Sequence, residues 1–230
     1  MAKVCIITAR GGSKRIPKKN IKDFLGKPII AYSIEAALQS GVFDEVMVST
    51  DDVEIAEISR ECGAKVPFMR SEATSNDFAN STDAVLEVLE RYKEQGKTFD
   101  YVSQIYPTAP FITAEKLKDA YQIIKEADAD SLVPVIRFSY PPQRGYIIRD
   151  GKLVFEFPEY TFSRSQDLEP IYHDVGQFYF TRTSKFIEYR TVIMPNLVPF
   201  ILPEEEAQDI DSESDWSLAE IKYRKFILHE

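Results

Sequence analysis

Short apolar runs and helix-length amphipathic runs take turns over the first two-thirds of this chain, a rhythm that leaves few folds open. Residues 4–8 form a short apolar strand candidate. Residues 28–38 read as a helix, with Pro28 in the first turn and Gly41 just past the end. Residues 45–50 are a second strand. Asp51 or Asp52 can cap the helix that follows, which runs toward Cys62 and stops at Gly63. Over residues 81–95, Val85, Val88, Leu89 and Tyr92 keep the i, i+3, i+4, i+7 spacing of one helical face. A strand at 101–106, a helix at 114–126 and a strand at 131–138 complete the series. Such βαβα alternation predicts an α/β fold, a mostly parallel sheet with helices on both faces.

Residues 139–174 break the rhythm. They are rich in Tyr, Phe, Pro and Arg, with a hairpin expected over 147–154 around Asp150-Gly151. An aromatic insert of this kind serves either a dimer contact or a substrate lid. Regular elements resume with a strand at 176–181, a helix near 184–189 and a strand near 197–202. A last strand is expected to lead to Asp209, and a helix to follow from Asp215. The expected division is a core of 1–138 and 175–230 carrying a protruding insert, 139–174.

Charge is distributed unevenly along this plan. The chain has a formal net charge of −9, yet residues 1–27 hold eight Lys and Arg against Asp23 alone, leaving −16 for the remainder. The basic stretch directly follows the first strand: Thr8-Ala9-Arg10-Gly11-Gly12-Ser13-Lys14-Arg15-Ile16-Pro17-Lys18-Lys19-Asn20. Glycines let backbone N–H groups approach an anion, and Arg and Lys neutralise it. The reading is a polyphosphate cradle; a solvated basic loop is the plain alternative. A long polyanion such as a nucleic acid would be repelled by the acidic remainder, so the expected ligand is a small phosphorylated molecule. The spacing fits neither G-x-x-x-x-G-K-[ST] nor G-x-G-x-x-G, which disfavours a P-loop ATPase and a dinucleotide dehydrogenase.

No apolar stretch approaches the ~20 residues that cross a bilayer, and the N-terminus lacks a signal-peptide layout, so a cytoplasmic protein with no membrane partner is expected. Cys5 and Cys62 suggest no disulfide framework, and His173 and His229 no histidine metal site. The remaining constellation is Gln208-Asp209-Ile210-Asp211. On a strand, positions i and i+2 share a face, and two carboxylates side by side suit Mg²⁺, which takes its other ligands from water and phosphate. An acidic strand end leading into the cap Ser212-Glu213-Ser214-Asp215 is the alternative.

Taken together, Ala9 to Asn20, Val48-Ser49-Thr50-Asp51-Asp52, Pro107-Thr108-Ala109-Pro110 and Gln208 to Asp211 resemble the nonulosonic acid cytidylyltransferases, the CMP–sialic acid synthetase family, in order and over essentially the whole chain. Tyr140-Pro141-Pro142-Gln143-Arg144, Arg164-Ser165-Gln166-Asp167-Leu168-Glu169 and Tyr172-His173-Asp174 look most like its pseudaminic acid branch. The resemblance implies a three-layer, Rossmann-like nucleotide-diphospho-sugar transferase fold and a homodimer joined through the insert. It implies a Mg²⁺-dependent reaction in which CTP and a nine-carbon 2-keto sugar acid give the CMP-sugar and pyrophosphate.

The resemblance also assigns residues. Arg10 and Lys14 match the phosphate-binding pair and, with Asp211, are the expected catalytic groups. Gly11, Gly12, Ser13, Lys19 and Asn20 complete the nucleotide loop, and Arg70 matches a base- or ribose-side arginine or is a surface ion-pair residue. Asp209 and Asp211 match the metal aspartates. Arg164, Gln143, Arg144 and His173 are the expected sugar-side groups, or else packing and interface residues. Tyr106 stands where sialic acid enzymes have Gln, a departure that agrees with the pseudaminic branch. The alternatives are the same reaction on legionaminic or N-acetylneuraminic acid, and a non-catalytic nucleotide-binding protein on the same scaffold.

Overall fold

Side chains of β1 (Lys3–Thr8) enter two apolar clusters in strict alternation, Val4 and Ile6 on one face and Cys5 and Ile7 on the other. A strand buried on both faces needs a layer of helices above and below it. The computed structural model describes residues 1–13, 15–76 and 79–230 and provides both layers. After β1 come a small ribbon, β2 (Asp23–Phe24) and β3 (Lys27–Pro28), and then α1 (Ile29–Ser40). These lead to β4 (Glu45–Ser49), α2 (Val53–Glu61), the one-turn α3 (Glu72–Ser75), α4 (Ser81–Glu94), β5 (Tyr101–Ile105), α5 (Ala114–Glu126) and β6 (Ser131–Arg137). A hairpin, β7 (Tyr146–Arg149) and β8 (Lys152–Phe155), precedes β9 (Tyr172–Asp174), β10 (Phe178–Arg182), α6 (Thr183–Tyr189), β11 (Leu197–Ile201) and α7 (Glu213–Tyr223).

The main sheet has seven strands in the order β11-β6-β10-β5-β1-β4, with β9 paired beside the second half of β6. β1 is parallel to β4 and β5, and β6 to β11; β10 runs antiparallel to both β5 and β6. The predicted parallel architecture therefore holds, with β9 and β10 reversed. On one face α1, α2 and α5 supply Ile30, Ile34, Ile55, Leu117 and Ile124 to the cluster around Cys5 and Ile7. On the other, α4 and α6 supply Val85, Val88, Tyr92 and Phe186 to the cluster around Val4, Ile6 and Val102.

Local signals set most helix ends. Gly41 takes the left-handed conformation (φ 62°) that closes α1. Asp52 caps α2 by accepting from Ile55 N–H at 3.1 Å, which leaves Asp51 for another task. Ser212 and Asp215 form a reciprocal capping box, so α7 starts at Glu213, ahead of the expected Asp215.

The strand expected to lead to Asp209 does not form. Glu204–Glu206 is a 3₁₀ turn after Pro203, and residues 207–211 pair with no neighbouring strand. A strand needs a ladder partner, and here the Asp211 N–H is taken by Asp215 Oδ2 at 3.1 Å. Alternation survives without the ladder: Ile210 is buried between two accessible aspartates. It joins Ile16, Phe24, Ile29, Phe111 and Trp216 in a third apolar cluster, with Phe24 and Trp216 edge-to-face at 5.7 Å. That cluster clamps the basic loop, through Ile16, to the acidic segment, through Ile210.

Residues 139–174 leave the sheet after β6 and return to it through β9. The hairpin forms where Asp150-Gly151 predicts it, both residues at positive φ (50° and 72°). Large apolar side chains stand exposed along this arm, among them Tyr140, Ile148, Leu153 and Phe162. Among the described residues no helix is long and apolar enough to cross a membrane.

Candidate active site

β1, β4 and β5 all end at one edge of the sheet, with Thr8 opposite Ser49 and Ile7 opposite Ile105. From β1 the chain passes to β4 on one side and later to β5 on the other. A crevice therefore opens beyond the carboxyl end of β1, the position at which open α/β sheets receive ligands.

The glycine loop is built into this crevice by its neighbours. The Gly11 N–H donates to Asp51 Oδ1 at 3.0 Å. A Cβ at Gly11 would lie 2.7 Å from Asp52 Oδ2, so only glycine fits against the capping aspartate of α2. Gly12 faces open space, with nothing within 4 Å of where its Cβ would be. Asn20 is buried and donates to the Arg10 carbonyl at 2.8 Å, pinning the start of the loop to its end. Lys14 lies outside the described residues.

Two cavities meet at Thr8, Arg10 and Tyr106. One, of about 400 Å³, is walled by the loop, including Gly12, Ser13, Lys19 and Asn20. The other, of about 300 Å³, is walled by Arg70, Thr74, Ala79, Asn80 and Ser81. Arg10 Nη1 reaches the Asn76 carbonyl at 3.3 Å. The Arg70 guanidinium is anchored on Ser49, to Oγ at 3.0 Å and to the carbonyl at 2.5 Å, and burial holds its pKa below the ordinary arginine value. The Tyr106 hydroxyl is 3.5 Å from Ser81 Oγ, and its ring stands edge-on to Tyr179.

The acidic segment approaches from the other end of the chain. Arg15 Nη1 lies 2.7 Å from Asp211 Oδ2, and Lys19 Nζ sits 2.6 Å from the Ile210 carbonyl and 3.7 Å from Asp211 Oδ1. Burial, and then the negative charge of Asp211, raise the pKa of Asp209. Asp209 and Asp211, faced by the cations of Arg15 and Lys19, form a place where positive charge is favoured. Among the described residues no three acidic, His or Cys side chains are grouped so that they could hold a metal ion by themselves. A divalent ion held by Asp209 and Asp211 would take its other ligands from phosphate and water, and the pair fits Mg²⁺ on those terms.

The expected sugar-side residues divide into two sets. His173 lines a cavity of about 520 Å³ together with Asp174, Gly176, Asp209 and Lys222; its ring lies 4.5 Å from that of Phe138. Gln143, Arg144 and Arg164 line neither this cavity nor the two above, and bond within the arm: Gln143 Nε2 to the Glu169 carbonyl at 2.8 Å, Arg144 to Ser165 at 3.3 Å, Arg164 to Asp167 at 2.6 Å. Within one chain they are not brought to the crevice.

Sequence reasoning missed Asp51, which holds the loop, and Arg15, which faces Asp211. The pair Asp51-Asp52 was legible as a helix cap. That the two divide the work, one capping and one holding Gly11, depends on β1 lying beside β4.

A cytidylyltransferase family model matches residues 4–206. The chain is 44% identical over 225 residues to a pseudaminic acid cytidylyltransferase of Campylobacter jejuni, covering 97% of each chain. It is 36% identical, over 94% of each chain, to a CMP-N,N'-diacetyllegionaminic acid synthase of Legionella pneumophila. Among solved structures, a CMP:2-keto-3-deoxy-manno-octonic acid synthetase complexed with CTP superposes with a TM-score of 0.69, covering 96% of this chain and 97% of that one; at 21% identity it speaks to the fold. Near-complete coverage, together with the glycine loop at the carboxyl end of β1, leads to one conclusion: this chain belongs to the cytidylyltransferase family.

Proposed function

We propose that the protein is a pseudaminic acid cytidylyltransferase, joining CTP and pseudaminic acid into CMP-pseudaminic acid with release of pyrophosphate. The observation that carries this reading is the likeness to the Campylobacter jejuni enzyme, which runs through nearly the full length of both chains. In the reaction the anomeric hydroxyl of the sugar attacks the α-phosphorus, and negative charge grows on the departing pyrophosphate. The protein's task is to position the two substrates and to stabilise that charge.

The site residues take the following roles in this reading. Arg10, Lys14 and Lys19 neutralise the triphosphate, and the Gly12 N–H and the Ser13 side chain approach its oxygens, the Ser13 N–H being used within the loop, on the Gly11 carbonyl at 3.0 Å. Asn20 and Asp51 hold the loop. The cavity lined by Arg70 and Thr74 takes the nucleoside, and Arg10, at the junction, takes the α-phosphate end of the chain of phosphates. Asp209 and Asp211 hold Mg²⁺, which supplies further charge neutralisation when bound. In this reading Asp211, or a water on the metal it holds, accepts the proton of the attacking hydroxyl.

Tyr106 and His173 face the sugar from within the chain. Gln143, Arg144 and Arg164 reach it from the arm of a second copy, in a homodimer that covers the exposed Tyr140, Ile148, Leu153 and Phe162. The reaction is placed in the cytoplasm, where CTP is available.

Pyrophosphate release, measured with CTP and Mg²⁺ against pseudaminic, legionaminic and N-acetylneuraminic acids offered separately, tests the reading. CTP-restricted release with pseudaminic acid is the expected result. Faster turnover of another acid would overturn the substrate, and silence with all three from protein that binds CTP would overturn the activity.

A further inference from the structure

Glu87 stands one layer behind the cavity lined by Arg70 and Thr74 and is not among the residues of its wall. Its carboxylate, largely buried on α4, accepts from the Ser71 N–H at 2.9 Å, from the Ser71 hydroxyl at 2.9 Å and from the Thr74 hydroxyl. Arg91, one turn along α4, pairs with the same carboxylate at 3.2 Å and donates to the Met69 carbonyl at 2.8 Å. Apart from the Arg91–Glu87 pair within α4, every one of these tethers ends on residues 69–74.

Apart from the Arg70 anchor on Ser49 and Thr50 and the turn bonds to the Ser71 carbonyl, that segment depends on these tethers. α3 has four residues, below the length at which helix formation sustains itself, and its N-cap Ser71 makes no side-chain capping bond because its hydroxyl is turned to Glu87. Yet it delivers three groups to the crevice. Arg70 and Thr74 go to the cavity wall, and the Asn76 carbonyl receives Arg10 Nη1.

We infer that Glu87 is a positioning residue for nucleotide binding: it fixes from behind the frame through which Arg70, Thr74 and, by way of Asn76, Arg10 engage CTP. The inference rests on the reading of this crevice as a CTP site. Burial opposes ionisation of Glu87, but its hydrogen bonds from Thr74 and Ser71 outweigh that and keep the carboxyl below its ordinary value, so the acceptor is charged at neutral pH. Bonds to a charged acceptor are the stronger kind, and truncating it releases several at once.

The test is calorimetric binding of CTP with Mg²⁺ to the full chain, followed by steady-state kinetics. Glu87→Ala is expected to weaken CTP binding about tenfold. Glu87→Gln, which keeps an acceptor for Ser71, is expected to restore it to within about threefold of the wild type. The KM for CTP rises by the same factors, while the KM for the sugar acid stays within about twofold, a split that general loss of stability would not produce. CTP binding by Glu87→Ala within about twofold of the wild type would overturn the inference. Should that variant not fold, Ser71→Ala decides: about threefold weaker binding supports the positioning role, and unchanged binding overturns it. A wild-type protein that binds no CTP would instead overturn the reading on which the inference rests.

Discussion

Replacing Gly11 by Ala tests whether the loop is held by sterics as well as by charge. The added methyl would sit 2.7 Å from Asp52 Oδ2 and 3.0 Å from its Cβ, closer than such atoms approach. Gly11 is not among the glycines at positive φ, so the cost is one of space and not of backbone conformation. Asp52 is short and doubly fixed, accepting from Ile55 N–H at 3.1 Å while its own N–H donates to Thr50 Oγ1 at 3.1 Å. If Asp52 yields, α2 loses its cap, worth about 1 kcal/mol. If the loop yields, the Gly11 N–H leaves Asp51, a charged hydrogen bond worth about 1.5–3 kcal/mol. The two routes bracket the cost at about 1–3 kcal/mol, the usual range for overpacking, with a centre of about 2 kcal/mol. For a chain of this size that is a fall in Tm of about 4–8 °C.

Two controls in thermal unfolding isolate the cause. Gly12→Ala, whose methyl meets nothing within 4 Å, leaves Tm within about 1 °C while weakening CTP binding. Asp52→Gly removes both clashing atoms and, as a tolerated cap, costs only a few tenths of a kcal/mol, roughly speaking. In its background Gly11→Ala is then nearly neutral, giving a coupling energy of about 1.5–2 kcal/mol. Additivity within about 0.5 kcal/mol, or a Gly11→Ala protein that melts with the wild type, would refute the steric account.

Glu45 predicts a pH dependence. Burial opposes its ionisation, but the Tyr92 hydroxyl at 2.6 Å and Lys65 and Lys97 at 3.1 and 3.3 Å outweigh it, so its carboxyl lies below the ordinary value of 4.5. A depressed folded pKa gives stability that is complete above the unfolded value and lost as pH falls through the folded one. Glu45→Gln should therefore be less stable at pH 7 and lose less on acidification below about pH 4.5, and parallel acid curves would refute this. Arg15→Ala removes an exposed ion pair, 71% and 41% accessible, so Tm should barely move. Mn²⁺ titrated into the nucleotide-free variant should bind more tightly, because a cation has left Asp211; equal affinity would show that Arg15 does not compete there. Ile148→Asp together with Phe162→Arg, both on exposed apolar positions of the arm, should shift sedimentation from dimer to monomer at unchanged Tm. A double variant that stays dimeric would remove the arm from the interface, and a wild-type monomer would overturn the proposed homodimer.

What the sequence determined by itself is what neighbours within a turn of chain control. α5 spans Ala114–Glu126, the run read as a helix from the sequence, Gly41 ends α1, and the 150–151 turn makes its hairpin. The family, too, was legible, because the glycine loop, Pro107-Thr108-Ala109-Pro110 and the Asp209–Asp211 pair are contiguous motifs. Tertiary structure alone decided the rest. β10 runs antiparallel to both of its neighbours, and residues 207–211 stay out of the sheet, with Lys222 on the Ala207 carbonyl, Lys19 on the Ile210 carbonyl and Asp215 on the Asp211 N–H. Asp51 and Asp52 divide their roles only once β4 lies beside β1. Arg15 meets Asp211 only because Ile16 and Ile210 share one apolar cluster, and Glu87 meets Ser71 and Thr74 only when α4 packs behind α3. Capping and periodicity act over about four residues, whereas this site joins side chains from opposite ends of the chain, and only burial of the apolar residues beside them brings them together.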